Sequence, residues 1–210
     1  MRNISKLILS MAIAFLLSAA PTTTFASSQW LEKAPGYTPA DGIKYWAETI
    51  KEELWLLFSF SQDQKAHRYL EQAEERIAEV EAMATRKQFK QINSTLMKYQ
   101  RQIEKAKLIA DKISQTSAPT NGFDEKLAGG LLRQEAVLNE VSQRQEMPAS
   151  QKETIKFTMD VALNTYDEVN SRILEPTKSQ VTKDVEQKIP NLSQQLPAEF
   201  RLKVPGLEGN

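Results

Sequence analysis

The chain has 210 residues, 27 basic and 27 acidic side chains, one histidine and no cysteine. Without thiols it has neither a disulfide framework nor a thiolate metal site, and without excess positive charge it has no general attraction for nucleic acid or anionic lipid. Stability must come from apolar packing, for which this length suffices as one domain or two small ones.

Residues 1–26 have the form of a secretory leader. Arg2 and Lys6 precede an apolar run, Leu7 to Leu17, and small and polar residues follow up to Thr24-Phe25-Ala26. Small residues at the last and third-last positions predict cleavage after Ala26, whereas cleavage after Ala20 would leave Pro21 first. The apolar run is shorter than the roughly 20 residues a membrane span needs. The expected product is exported, either secreted or held in the cell envelope. It carries two more acidic than basic residues and no cysteine for lipid attachment.

Residues 27–40 form a lead-in rich in proline and glycine. A first helix is predicted from Asp41, as N-cap, to Phe60. Its apolar residues fall on more than one face, which predicts central burial or, failing that, an exposed aromatic patch. Ser61 with Gln64 has capping-box spacing for a second helix. The third helix carries the most regular repeat: Phe89, Ile92, Leu96, Tyr99, Ile103, Ala106, Ala110 and Ile113 alternate steps of three and four. That is an a/d seam, and the short turn near Arg86 predicts an antiparallel hairpin with the second helix. Residues 41–116 thus form one three-helix unit.

After a loop at 117–121, residues 122–175 predict a second hairpin. Its first helix carries Phe123, Leu127, Leu131 and Val141 on one face; Gly129-Gly130 marks either a hinge or a close helix crossing. Its second helix carries Ile155, Met159, Ala162, Tyr166, Val169 and Ile173, and Glu175-Pro176 ends it. Residues 176–210, divided by Pro190, Pro197 and Pro205, predict an extended tail with at most one short helix over Val181, Val185 and Ile189. Phe200 to Val204 is the only strand candidate. The fold class expected is all-α: an antiparallel bundle of coiled-coil hairpins with about five helices and an extended C-terminal tail.

Tyr45 and Glu52 in the first helix, the run Leu56 to Phe60, Asp63 before Lys65-Ala66, then Ala73, Arg76, Ile77 and Glu79, and finally Leu96, Tyr99, Ile103 and Ala106 occur in a fixed order. In these residues the segment from about 41 to 113 resembles a bacterial family of exported or membrane-anchored helical proteins catalogued as a domain of unknown function. Ser61-Gln62 replaces that family's Asp-Pro turn, and Glu48 stands where a lysine is usual. The resemblance implies an exported helical fold and no assigned activity.

Candidate chemistry is sparse. Asp63, His67 and Glu71 lie at i, i+4 and i+8, one helical stripe, and could ligate a divalent ion if a second element contributed. The competing reading is an exposed polar face with Asp63 and His67 paired locally. Glu71, Glu74, Glu75, Glu79 and Glu81 share one helix rather than facing each other across a cleft, so most of them are expected in water, with Arg76 and Glu79 paired. No nucleophile motif, phosphate loop or cofactor signature is present, so no enzyme activity and no cofactor are expected. The basic residues of the third helix are expected against the acidic second helix rather than against nucleic acid. Trp46, Trp55, Leu56, Phe58 and Phe60 are either bundle core or a surface for an envelope protein, a second copy or membrane contact. The leading expectation is an exported interaction or scaffold protein of the envelope. The alternative is an envelope ligand or metal binder using the Asp63/His67/Glu71 stripe.

Overall fold

The computed structural model describes residues 28–115 and 122–207. The predicted leader, 1–26, and the predicted loop, 117–121, lie outside the described residues. Among the described residues every regular element is helical and no strand occurs. Helix α1 spans Ile43–Leu57, α2 Gln62–Thr85, α3 Ile92–Gln115, α4 Phe123–Gln143 and α5 Ala149–Asn170. Three further helices follow: α6 Thr177–Lys188, α7 Leu192–Gln195 and α8 Ala198–Arg201.

Local chemistry sets the boundaries. The Asp41 carboxylate accepts from the backbone N–H of Thr38 at 2.6 Å and from its hydroxyl at 2.9 Å, closing a turn of 3-10 helix. Gly42, at φ 62°, is then the N-cap of α1, a backbone state that suits glycine. The helix stops at Leu57, short of the expected Phe60. The Ser61 hydroxyl accepts from the Gln64 N–H at 3.1 Å, the predicted cap of α2. Pro148 caps α5, where its missing N–H costs nothing.

The helices pack as the a/d seam requires. On α3, Ile92, Leu96, Tyr99, Ile103, Ala106 and Ala110 are at most 1 % exposed. They lie against antiparallel α2, while α4 and α5 form a second antiparallel hairpin. Helix α2 also packs on α4, and α3 on α5, so the four close a ring around one apolar core. Each fully buried aliphatic side chain in that core contributes roughly 1.5–3 kcal/mol.

Two expectations are corrected, and the Gly129-Gly130 pair, read as a hinge or a close crossing, sits at a close crossing. The centre of the bundle is α4 and not the first helix: Leu127 to Leu138 are buried without interruption, whereas α1 buries no residue fully. The reason is that α1 turns polar side chains, Tyr45 and Glu52, toward α2 and leaves its aromatic side outward. Gly129-Gly130 does not break α4; the second glycine lets Leu70 of α2 approach, and the first meets Val181 and Val185 of α6. Finally, the segment after Pro176 is not extended. Pro190 and Pro197 flank short helices instead of interrupting them, and Val185, Ile189, Leu192, Leu196, Phe200, Val204 and Leu207 are all buried. Phe200 to Val204, the strand candidate, is the end of α8 and a turn.

Candidate functional site

Three regions concentrate polar or exposed apolar groups. The first joins α1 to α2. Arg76, 2 % exposed, donates to the Tyr45 hydroxyl at 3.2 Å and to the Glu52 carboxylate, and pairs with Glu79 at 2.8 Å. Lys98 of α3 donates to the same Tyr45 hydroxyl at 2.6 Å, and its ammonium stands over the Tyr45 ring. Glu75 completes the group at 3.9 Å from Arg76. Four of the residues that carry the sequence resemblance, Tyr45, Glu52, Arg76 and Glu79, are therefore one cluster that fastens α1 to the bundle.

This cluster holds more acid than one guanidinium can neutralise. Burial pushes the Glu79 carboxyl up to about 8, against the pull of Arg76, and pushes Glu75 up to about 7 with Glu52 adding repulsion. Burial also raises Glu48, whose carboxylate accepts from the Tyr37 N–H at 2.8 Å. Burial alone would lower the Arg76 pKa, but Glu79 and Glu52 outweigh it and hold the guanidinium charged. A gap of about 150 Å³ remains between α1 and α2, lined by Glu52, Trp55, Arg68 and Glu75. The joint is polar and loosely filled.

The second region is a cleft of about 400 Å³ between α2, α4, α6 and the lead-in. His67 and Glu71 line it with Glu74, Arg133, Asp184 and Lys188. His67 Nε2 is 3.7 Å from Asp63, and its ring meets Phe123 edge-on at 5.0 Å. Partial burial and the nearby Lys126 lower the His67 pKa, although Asp63 and Glu71 pull the other way. Glu71 is paired with Arg68 at 2.6 Å and faces Lys33 at 3.6 Å. Asp63 and His67 are thus the expected local pair, and Glu71 does not join them. Among the described residues no group of three or more histidine, aspartate or glutamate side chains is placed to hold a metal ion.

The cleft also corrects the expectation that the acids of the second helix lie in water. Glu74, Glu79 and Glu81 are at most 3 % exposed. Glu74 pairs with Arg133 at 2.7 Å, Arg133 reaches Glu32 at 3.1 Å, and Glu32 reaches Lys188 at 3.0 Å. The chain of alternating charges ties the lead-in and α6 to the bundle. Glu74 and Glu79 thus find arginines on α4 and on their own helix, instead of the basic face of α3. Burial raises Glu74 even so, while Lys188 and Arg133 outweigh burial at Glu32 and lower it.

The third region is the outward side of α1 and the turn after it. Trp46 is 66 % exposed, Phe58 69 % and Phe60 93 %, with Ile43, Leu54, Trp55 and Leu57 also exposed. Leu56 is half-buried. The Arg68 guanidinium stands 4.7 Å over the Trp55 ring. Trp46, Trp55, Phe58 and Phe60 are therefore not bundle core.

Sequence reasoning missed Arg133 and Glu135. Both are buried in α4, in a run Arg133-Gln134-Glu135 set among apolar residues on every side. That polar triplet within the otherwise non-polar stretch from Leu127 to Leu138 was the available signal. Among the described residues no helix is long and apolar enough to cross a membrane.

Residues 36–199 match the family described as Domain of unknown function (DUF5667), and the chain belongs to it. The match continues well past residue 113 and takes in both hairpins and the α6–α7 segment. No curated protein matches the chain, and no solved structure does.

Proposed function

We propose that this member of the DUF5667 family is an exported, non-catalytic helical module of the cell envelope that docks a protein partner through the outward side of α1. The observation that carries the reading is the exposure of Trp46, Phe58 and Phe60, with Ile43, Leu54, Trp55 and Leu57, along α1 and the turn after it, where the other exposed large apolar residues, such as Met97, Leu108 and Phe157, stand on separate elements. Contiguous exposed aromatic surface of this kind marks interaction sites. The polar cluster around Arg76 supports it, because it docks α1 by its other side and keeps the rings outward. A protein groove suits the surface better than an anionic membrane, since Glu48, Glu52 and Glu53 outnumber Lys44 and Lys51 along the helix. Export rests on the leader-like residues 1–26.

Site-specific photo-crosslinking in intact cells tests this. A crosslinker at Phe58 should capture a discrete protein, whereas one at Phe157, equally exposed on α5, should not. Trp46→Glu with Phe60→Glu should abolish the capture without lowering thermal stability. Light scattering tells whether the occupant is a second copy. A strictly monomeric protein that gives no adduct at Phe58 in cells sinks the reading.

The alternative, a ligand binder at Asp63, His67 and Glu71, has one observation in its favour: His67 and Glu71 line the 400 Å³ cleft. Zinc titration of the wild type and of His67→Ala separates the two readings. Binding that does not depend on His67 removes this one.

A further inference from the structure

Helix α1 carries a seam of the same kind as α3. Ile43, Ala47, Ile50, Leu54 and Leu57 follow one another by alternating steps of four and three, an a/d repeat along the whole 15-residue helix. On a helix such positions form one stripe, and no charged residue falls within it. Tyr45 and Glu52, seven residues apart, stand on the opposite side, where Arg76 donates to both and Lys98 to Tyr45. The seam of α3 is buried in the core against α2. That of α1 is turned outward: Ile43 is 81 % exposed, Leu57 76 % and Leu54 46 %, with Ala47 and Ile50 half-buried. A surface helix ordinarily sets its apolar stripe on the core. Helix α1 does the reverse, polar side in and apolar side out.

The natural occupant of an a/d seam is another helix with the same spacing, because each knob needs the hole that a matching repeat supplies. We infer that the occupant is a second copy of this chain, whose α1 pairs in parallel with the first about a two-fold axis, Leu54 against Leu54 and Ile50 against Ile50. The inference rests on α1 being the docking surface and names what docks there.

The side chains beside the stripe select both the copy and its direction. One edge carries Lys44 and Lys51, the other Trp46 and Glu53, and all four are exposed. In a parallel pair the unlike edges meet, so that ammonium groups face an indole ring and a carboxylate, and the two-fold axis repeats the match on the other side. In an antiparallel pair the like edges meet, lysines against lysines and Glu53 against Glu53. The helix is thus its own complement in one direction only. It is also folded and clamped before it pairs, so little ordering entropy opposes association.

The chain has no cysteine, so single introduced cysteines read the contact directly. Light scattering of the purified protein at high micromolar concentration should give twice the monomer mass. Under mild oxidation Leu54→Cys should form a disulfide-linked dimer, and Phe157→Cys, exposed on α5, should not. Ile43→Glu with Leu57→Glu should raise the dimer dissociation constant at least about tenfold while keeping the wild-type circular dichroism. A mixture of Ala47→Cys and Leu54→Cys reads the direction: mixed dimers in excess over Leu54→Cys homodimers mean antiparallel helices and overturn the proposal. A doubled mass that Ile43→Glu with Leu57→Glu leaves undisturbed overturns it as well. So does a monomer at every concentration, and the cell crosslink at Phe58 then separates the cases. Capture of a different protein there removes self-pairing and leaves α1 as the docking surface. Binding of the monomer to phosphatidylcholine vesicles gives that surface to a membrane, and no adduct at all removes both readings.

Discussion

An alanine at position 129 would place its Cβ 3.6 Å from Arg133 Nη1 and from Val181 Cγ1, and 3.7 Å from Val185 Cγ2, ordinary contact distances. At position 130 the added atom would meet Leu70 Cδ1 at 3.1 Å, close enough that Leu70 must give way. Both glycines are helical interior residues, so the intrinsic gain from alanine is the same, about 1 kcal/mol. Gly129→Ala should therefore raise stability toward that figure. Gly130→Ala should gain less or lose, because the strain at the α2–α4 crossing offsets the propensity. Urea denaturation of the two variants checks this, and a larger gain at 130 than at 129 would show that the crossing is not tight. Residues such as these also show where sequence reading stops. The Gly-Gly pair was visible, but its meaning depends on Leu70, 60 positions away along the chain. In the same way Glu74 looked like any surface glutamate until α4 brought Arg133 to it across 59 residues.

At the scale of the element, α1 is fastened by charge rather than by apolar burial, and its docking should respond to pH. Glu79 and Glu75 have pKa values near 8 and 7 when docked, against an ordinary 4.5 when free. The docked state therefore holds more protons than the undocked one between these values, and raising the pH favours undocking. The contribution of these two carboxyls to docking is fully present below the ordinary carboxylate range and is lost as the pH rises through about 7 and about 8. Hydrogen-exchange protection factors of Ile43–Leu57 should fall from pH 5 to pH 9, roughly tenfold or more per carboxyl fully discharged, while those of α4 hold. Glu79→Gln should flatten the profile. Protection of α1 that does not vary with pH would mean the carboxyls do not govern the joint. The seam of α3 was legible because every third or fourth residue from Phe89 to Ile113 is apolar and the periodicity alone orients it. Helix α1 was misread because its aromatic count outweighed Tyr45, Glu48 and Glu52, whose partners lie on other elements. Periodicity assigns glutamate outward and has no means to show an arginine waiting inside.

For the molecule as a whole, the decisive question is whether the last thirty-odd residues are part of the folding unit. Proline spacing after Pro176 predicts an extended tail. In the structure α6 lies along α4, and Lys188 ties back to Glu32, so α6 and the lead-in are joined on one face of the bundle. Val185, Ile189, Leu192, Leu196, Phe200, Val204 and Leu207 are each at most 2 % exposed. At roughly 1.5–3 kcal/mol for each such side chain, their summed burial is comparable to the ~5–15 kcal/mol that holds a whole domain together. A chain ending at Pro176 should therefore lose cooperative unfolding altogether, not merely shift its midpoint. Phe200→Ala is the graded version: it empties a site against Tyr166, whose ring centroid is 5.4 Å away, and should cost about 3–5 kcal/mol. Circular dichroism in urea distinguishes the cases. If the segment is integral, the truncated chain shows no sigmoidal transition, and the single variant shows one displaced to lower urea with an unchanged slope. A truncated chain that unfolds at the wild-type midpoint would detach the C-terminal helices from the bundle.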